Sequence, residues 1–142
     1  MKSKKEVQMD LNKFAVEVHQ NAVDHGWWDE PRTFGEIVAL CHSELSEALE
    51  EYRTGRPLVY FNCWLKGTPC EEQACDFWDK VDGGCVDDST DKKPEGVAVE
   101  MADCIIRILD WCGKEHIDIE KLLNMKHDYN KSRPYRHGGK KL

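Results

Sequence analysis

Apolar residues recur at Val7, Leu11, Phe14, Ala15, Val18 and Ala22, in steps of three and four that gather them on one helical face. The pattern predicts a first helix ended by Gly26. Thr33, followed three residues on by Glu36, makes a capping box that opens a second helix running to about Arg53, where Gly55 and Pro57 stop it. A third helix is predicted from about Gly96 to Cys112, stopping at Gly113. A fourth is predicted from Asp118 to about Lys131, carrying Ile119, Leu122, Leu123 and Tyr129. No period-2 run is long enough for a convincing strand, and Leu58-Val-Tyr-Phe is the one β-like patch. The expected class is therefore all-α, an antiparallel four-helix bundle, in a single domain over residues 1–142.

Residues 56–95 break this pattern and read as a long insert between the second and third helices. They hold glycines, prolines, five aromatics and the acidic run Asp87-Asp-Ser-Thr-Asp91. Four of the seven cysteines also lie there. A structureless connection of this length is unusual in a compact domain and is expected either to have a function or to be mobile. Cys63, Cys70, Cys75 and Cys85 lack the tight CxxC pair of most zinc sites, which argues against a structural Zn²⁺. The acidic run does not match an EF-hand loop.

Charge changes the picture in two ways. A formal net charge of −7 argues against broad nucleic-acid binding. The tail from residue 131 to 142 nonetheless carries Lys131, Arg133, Arg136, Lys140 and Lys141 and no acid, so an acidic body ends in a basic segment suited to anionic oxygens. No apolar stretch approaches a membrane span, and no apolar run follows the basic Met1-Lys-Ser-Lys-Lys start, so no membrane association is expected. A cytoplasmic location with reduced thiols is the matching expectation.

The chemistry lies in two pairs of carboxylates. The second helix contains Glu44-Leu-Ser-Glu47 and the third contains Glu100-Met-Ala-Asp103. Residues three apart on a helix stand roughly 60° and one turn apart, so each pair can aim at one point. The third helix is apolar around most of its circumference, through Val97, Val99, Met101, Ile105, Ile106, Ile108, Leu109 and Trp111. Only Glu100, Asp103, Arg107 and Asp110 form a polar stripe, so this helix should be largely buried and its acids buried with it. Glu44 sits on the shoulder of an apolar face as well, and Glu47 lies further from it. Clustered, partly buried carboxylates are strongly unfavourable unless neutralised, and Arg107 is the one local cation. A hard divalent ion, Mg²⁺ with Mn²⁺ as substitute, is the natural remedy for an all-oxygen set. A di-iron bundle would need Glu-x-x-His, which neither helix offers.

These segments resemble the MazG-like family of all-α nucleoside triphosphate pyrophosphohydrolases. The resemblance rests on His-Ser-Glu44-Leu-Ser-Glu47, on Val-Glu100-Met-Ala-Asp103, and on the closing Lys126-His-Asp-Tyr-Asn130-Lys-Ser-Arg133. It covers about residues 14–139 without the insert, whose length departs from the short connection usual in the family. It implies that Glu44, Glu47, Glu100 and Asp103 hold Mg²⁺. Glu47 would orient a water for attack on the α-phosphate, with Glu44 as its catalytic neighbour. Lys126, Asn130 and Arg133, assisted by Lys131 and Arg136, would bind the triphosphate, releasing a monophosphate and pyrophosphate. His19, Asn21 and Trp28, with Trp27 beside it, are candidates for the base pocket, although adjacent tryptophans more often anchor a core. Family members assemble as dimers or tetramers, so a homodimer or homotetramer is expected. Two other readings stay open: a nucleotide-binding regulator without turnover, and a protein-binding module using the acidic face or the insert.

Overall fold

The computed structural model describes residues 9–62, 69–70, 93–139 and 141. The described chain is mostly helical, with little sheet. In chain order it forms α1 (Leu11–Asp24), α2 (Phe34–Arg53), β1 (Tyr60–Asn62), β2 (Pro69–Cys70), β3 (Pro94–Glu95), α3 (Val97–Lys114), α4 (Ile119–Ser132) and a single turn, α5 (Arg136–Gly139). It divides into two compact units, one of residues 33–107 and the other of residues 1–32 with 108–142.

In the first unit, α2 starts where the sequence says it should. The Thr33 hydroxyl accepts from the Glu36 backbone N–H, and the Glu36 carboxylate accepts from the Thr33 N–H at 2.6 Å. The β-like patch becomes the centre of a small antiparallel sheet in the order β2-β1-β3, with Tyr60 opposite Glu95 and Phe61 opposite Cys70 and Pro94. That sheet corrects the expectation of no strand. Its strands are two or three residues long, too short for periodicity to reveal. Tyr60 and Phe61 are buried, as are Ile37, Ala48 and Cys104. The sheet delivers the chain to α3 through Gly96 at φ +112, where an added Cβ would stand 2.6 Å from the Leu58 carbonyl oxygen. Only glycine allows that approach. The neighbouring Ala98 N–H donates to the same carbonyl at 2.9 Å.

In the second unit, Ala15 of α1 packs on Leu109 and Cys112 of α3, with Phe14, Trp111, Ile117 and Ile119 around them. α3 does not stop at Gly113 but continues to Lys114. Gly113 marks a close approach instead, since a Cβ there would lie 2.3 Å from the Ala15 carbonyl oxygen. α1 and α4 are clamped at their first turns. The Leu11 N–H donates to the Glu120 carboxylate at 2.7 Å, and Asn12 donates to Asp118 at 2.8 Å.

One expectation about burial is overturned. α3 is not buried all round, because Met101, Ile105, Ile106 and Ile108 are exposed. α1 covers the later part of its apolar face, at Leu109 and Cys112, while the earlier turns present theirs to solvent. On α4, Leu122, Leu123 and Tyr129 are likewise exposed. No described helix is long and apolar enough to cross a membrane.

Candidate functional site

α2 and α3 carry the acidic pairs. Glu44 and Ala48 fall on the buried side of α2, one turn apart, next to the buried Ile37. Glu47 stands on the exposed side, as its greater distance from the apolar face implied. Glu100 lies in the first turn of α3, where unpaired backbone N–H groups favour a carboxylate. The side chains come together: one carboxylate oxygen from each of Glu44, Glu47 and Glu100 lies within 4.8 Å of the others. Glu44 is 6% exposed and Glu100 9%. Glu47 opposes Glu100, while Glu44 meets Arg107 further along, so α2 and α3 run antiparallel here.

Asp103 stands outside that triad, although it is half-buried and within reach of the field of Glu44. Burial pushes the Glu100 carboxyl above the ordinary carboxylate range, and the charges of Glu47, Asp103 and Glu44 push it further. The Asp103 carboxyl is raised by burial and then by Glu44, with Arg107 and Lys93 opposing. Arg107 donates through Nε to Glu44, leaving the second Glu44 oxygen for another partner. Among the described residues, Arg107 is paired to the cluster and Lys93 acts on it from further away. The donor set, all oxygen, crowded and partly dehydrated, is of the kind that could hold a hard divalent cation.

The remaining site candidates belong to the other unit. Lys126 and Arg133 flank the Tyr129 ring, at 5.1 and 5.9 Å from its centroid. Asn130 is exposed on the same helix, and Lys131 is paired with Asp128 at 2.9 Å. Arg136 lies 5.6 Å from the Tyr135 ring, on backbone with φ 50.

His19 and Trp28 are brought together around an acid that had no assigned role. His19 Nδ1 is 2.8 Å from Asp110, and the Trp28 indole N–H donates to both oxygens of the same carboxylate at 3.0 and 3.1 Å. The His19 and Trp28 rings meet edge-on at 5.5 Å, and the Lys114 ammonium lies 5.4 Å from the indole. Trp28 is thereby fixed as an anchor by its own polar atom, whereas Trp27 is over half exposed beside Arg32. Asn21 is exposed and outside this cluster. A signal for Asp110 was available: it lies two turns beyond Asp103 in the polar stripe of α3. Cys63, Cys75 and Cys85 lie outside the described residues, so the zinc expectation for the insert falls there too.

No protein-family model matches this chain, no characterised protein matches it in sequence, and no solved structure matches it.

Proposed function

We propose that the protein is a Mg²⁺-dependent nucleoside triphosphate pyrophosphohydrolase, converting an NTP or dNTP and water to the monophosphate and pyrophosphate. The observation that carries this reading is the convergence of Glu44, Glu47 and Glu100, two of them buried, with oxygens within 4.8 Å and Arg107, among the described residues, as the cation ion-paired to the cluster. Bound there, Mg²⁺ would neutralise the carboxylates and stabilise the charge that grows on the phosphate oxygens as the α–β anhydride breaks.

The protein's own groups then divide the work. Glu44 and Glu100 would be the holding ligands, with Asp103 near enough to add a further carboxylate. Arg107 fixes the orientation of Glu44 through its Nε hydrogen bond. Glu47 is the exposed member, with Ser43 donating to one of its oxygens at 3.3 Å. We assign to it the proton of the water that would attack the α-phosphorus. Lys126, Asn130 and Arg133, with Lys131 and Arg136, are assigned to the triphosphate from the MazG-like resemblance. His19, Asn21 and Trp28 are assigned to the base on the same ground.

We also infer that the four-helix bundle is completed by a second copy of the chain, as a homodimer or a dimer of dimers. On α2, Val38, Leu45, Leu49 and Tyr52 recur at helical spacing as an exposed apolar stripe. Met101 and Ile105 expose another on α3. Light scattering on the wild type and on Leu45→Glu tests this: a dimer mass in the first and a monomer mass in the second are expected.

Pyrophosphate release from a panel of NTPs and dNTPs, with Mg²⁺ and with EDTA, tests the activity. Release from some nucleotide, abolished by EDTA and by Glu100→Gln, is the expected result. Mg²⁺-dependent binding without release would favour the regulator, and no interaction with any nucleotide from a folded protein would favour the binding module.

A further inference from the structure

The second unit ends in a run of cations and aromatic rings separate from the carboxylate cluster. After Asp128 the chain holds Lys131, Arg133, Arg136, Lys140 and Lys141 and no acid. Lys126, Tyr129 and Arg133, the last at the C-cap of α4, stand at i, i+3 and i+7 and so follow one face of the helix over roughly 10 Å. Three cations of this stretch lie on tyrosine rings: Lys126 and Arg133 on Tyr129 at 5.1 and 5.9 Å, and Arg136 on Tyr135 at 5.6 Å. Both rings face solvent, Tyr129 at 57% exposure and Tyr135 at 86%. Among the described residues Lys131 is held by Asp128 at 2.9 Å, whereas Lys126, Arg133 and Arg136 are in no salt bridge. The helix dipole favours cations in a last turn, but it gives no reason for two tyrosines this exposed beside them.

We propose that the strip from Lys126 to Arg136 binds single-stranded nucleic acid, with Tyr129 and Tyr135 stacking bases and Lys126, Arg133 and Arg136 holding phosphates. Exposed rings interleaved with unpaired cations supply both halves of such a platform. An exposed cation–π contact is weak against a stacked base, so the cations leave the rings for phosphates as the strand arrives. A duplex keeps its bases stacked within itself and offers the rings no face. A membrane surface would need aliphatic side chains beneath the cations. Here the exposed Leu122 and Leu123 lie in the half of α4 that carries Glu120, and the cations lie on aromatic rings instead.

The formal charge of −7 works against a strand reaching this strip, so binding is weak and confined to it. With three phosphate contacts, at roughly 0.7 each, log affinity falls against log salt with a slope of about −2. That is about 15–20-fold between roughly 50 and 200 mM salt. The triphosphate assignment of Lys126, Asn130 and Arg133 shares the phosphate chemistry but leaves the two tyrosines without a task. Binding of a strand here needs no metal, which separates it from the carboxylate site.

Fluorescence anisotropy of a labelled thymidine strand of about 12 nucleotides, titrated with the full chain in EDTA, tests this. Saturable binding at roughly 50 mM salt with a slope of about −2 is expected, and a slope shallower by about 2 in the combined variant Lys126→Gln, Arg133→Gln, Arg136→Gln. Tyr135→Ala removes a ring too exposed to support the fold. It should weaken binding at least about fivefold at unchanged slope, and Tyr135→Trp should restore it. Tyr129→Ala repeats the measurement at the second ring, with circular dichroism confirming that each variant is folded. No binding to the strand at roughly 50 mM salt overturns the proposal, whether or not phosphatidylserine vesicles bind. Unchanged affinity in both tyrosine variants, or equal affinity for the matching duplex, overturns it as well. ATP bound in EDTA as tightly as the strand, and lost with the same three cations, also overturns it and leaves these residues to the triphosphate. Absence of pyrophosphate release with Mg²⁺ bears only on the hydrolase reading.

Discussion

Replacing Glu100 by Gln keeps the shape of the side chain and removes one charge from a crowded cluster. Glu100 faces Glu44 and Glu47 with oxygens within 4.8 Å. At that separation a pair of like charges repels by roughly 3.5 kcal/mol at an effective dielectric constant of about 20, and by under about 1 kcal/mol in water-like surroundings. Glu47 is solvent-exposed and Arg107 offsets Glu44, so the relief lies toward the lower part of that range, about 1–2 kcal/mol. The metal-free variant should therefore be more stable than wild type, melting about 3–8 °C higher for a chain of this size. Magnesium should reverse the order. A wild type that binds the ion gains about 2.7 kcal/mol at a hundredfold excess over Kd, and a variant that has lost a ligand gains little. Differential scanning fluorimetry in EDTA and in Mg²⁺, on both proteins, reads all four values. A variant that melts lower than wild type in EDTA, or an equal Mg²⁺ shift in both, would refute the idea that this cluster is a strained cation site.

Three further outcomes are expected. The raised carboxyls of Glu100 and Asp103 mean that the folded, metal-free protein holds protons which the unfolded chain releases. Their stability penalty is therefore full at neutral pH and is relieved as pH falls through the folded values toward the ordinary 4.5 and 3.8. The EDTA stability gap between wild type and Glu100→Gln should thus shrink on acidification in urea titrations, and a constant gap from pH 7 to 4.5 would count against the shifts. Arg107→Met leaves Glu44 buried without its partner and should cost about 3 kcal/mol, the low end for a broken buried pair because Arg107 is 33% exposed, with partial rescue by Mg²⁺. Gly113→Ala places a methyl 2.3 Å from the Ala15 carbonyl and should cost about 1–3 kcal/mol by circular dichroism melts, a neutral result arguing against the α1–α3 contact.

Much of the helical framework was legible along the chain. The capping box at Thr33 and Glu36 set the start of α2 within a residue, because capping chemistry is local. Gly113 read as a terminator, since a glycine that ends a helix and one that admits a neighbouring backbone look alike without the neighbour. The sheet was missed for a related reason: strands of two or three residues are created by pairing between distant segments, and their own sequence carries no period. Burial of Glu44 and Glu100 was legible from their apolar surroundings. The spare carboxylate Asp110, which ties His19 to Trp28, was visible only as a member of a polar stripe, because its partners lie more than eighty residues away in the chain.

What the amino-acid order settled by itself is what depends on contacts within one or two turns: helices, caps, and acids spaced three apart on a shared face. Tertiary structure decided which faces meet. The apolar pattern of α3 is continuous, yet Leu109 and Cys112 are covered, with Ala15 of α1 packed on them, while Met101 and Ile105 are exposed. Packing of α3 on α2 brought Glu47 to Glu100 and Arg107 to Glu44 across two antiparallel helices. Helical periodicity names a face but not its partner, and the charge repulsion among these carboxylates depends on the partner.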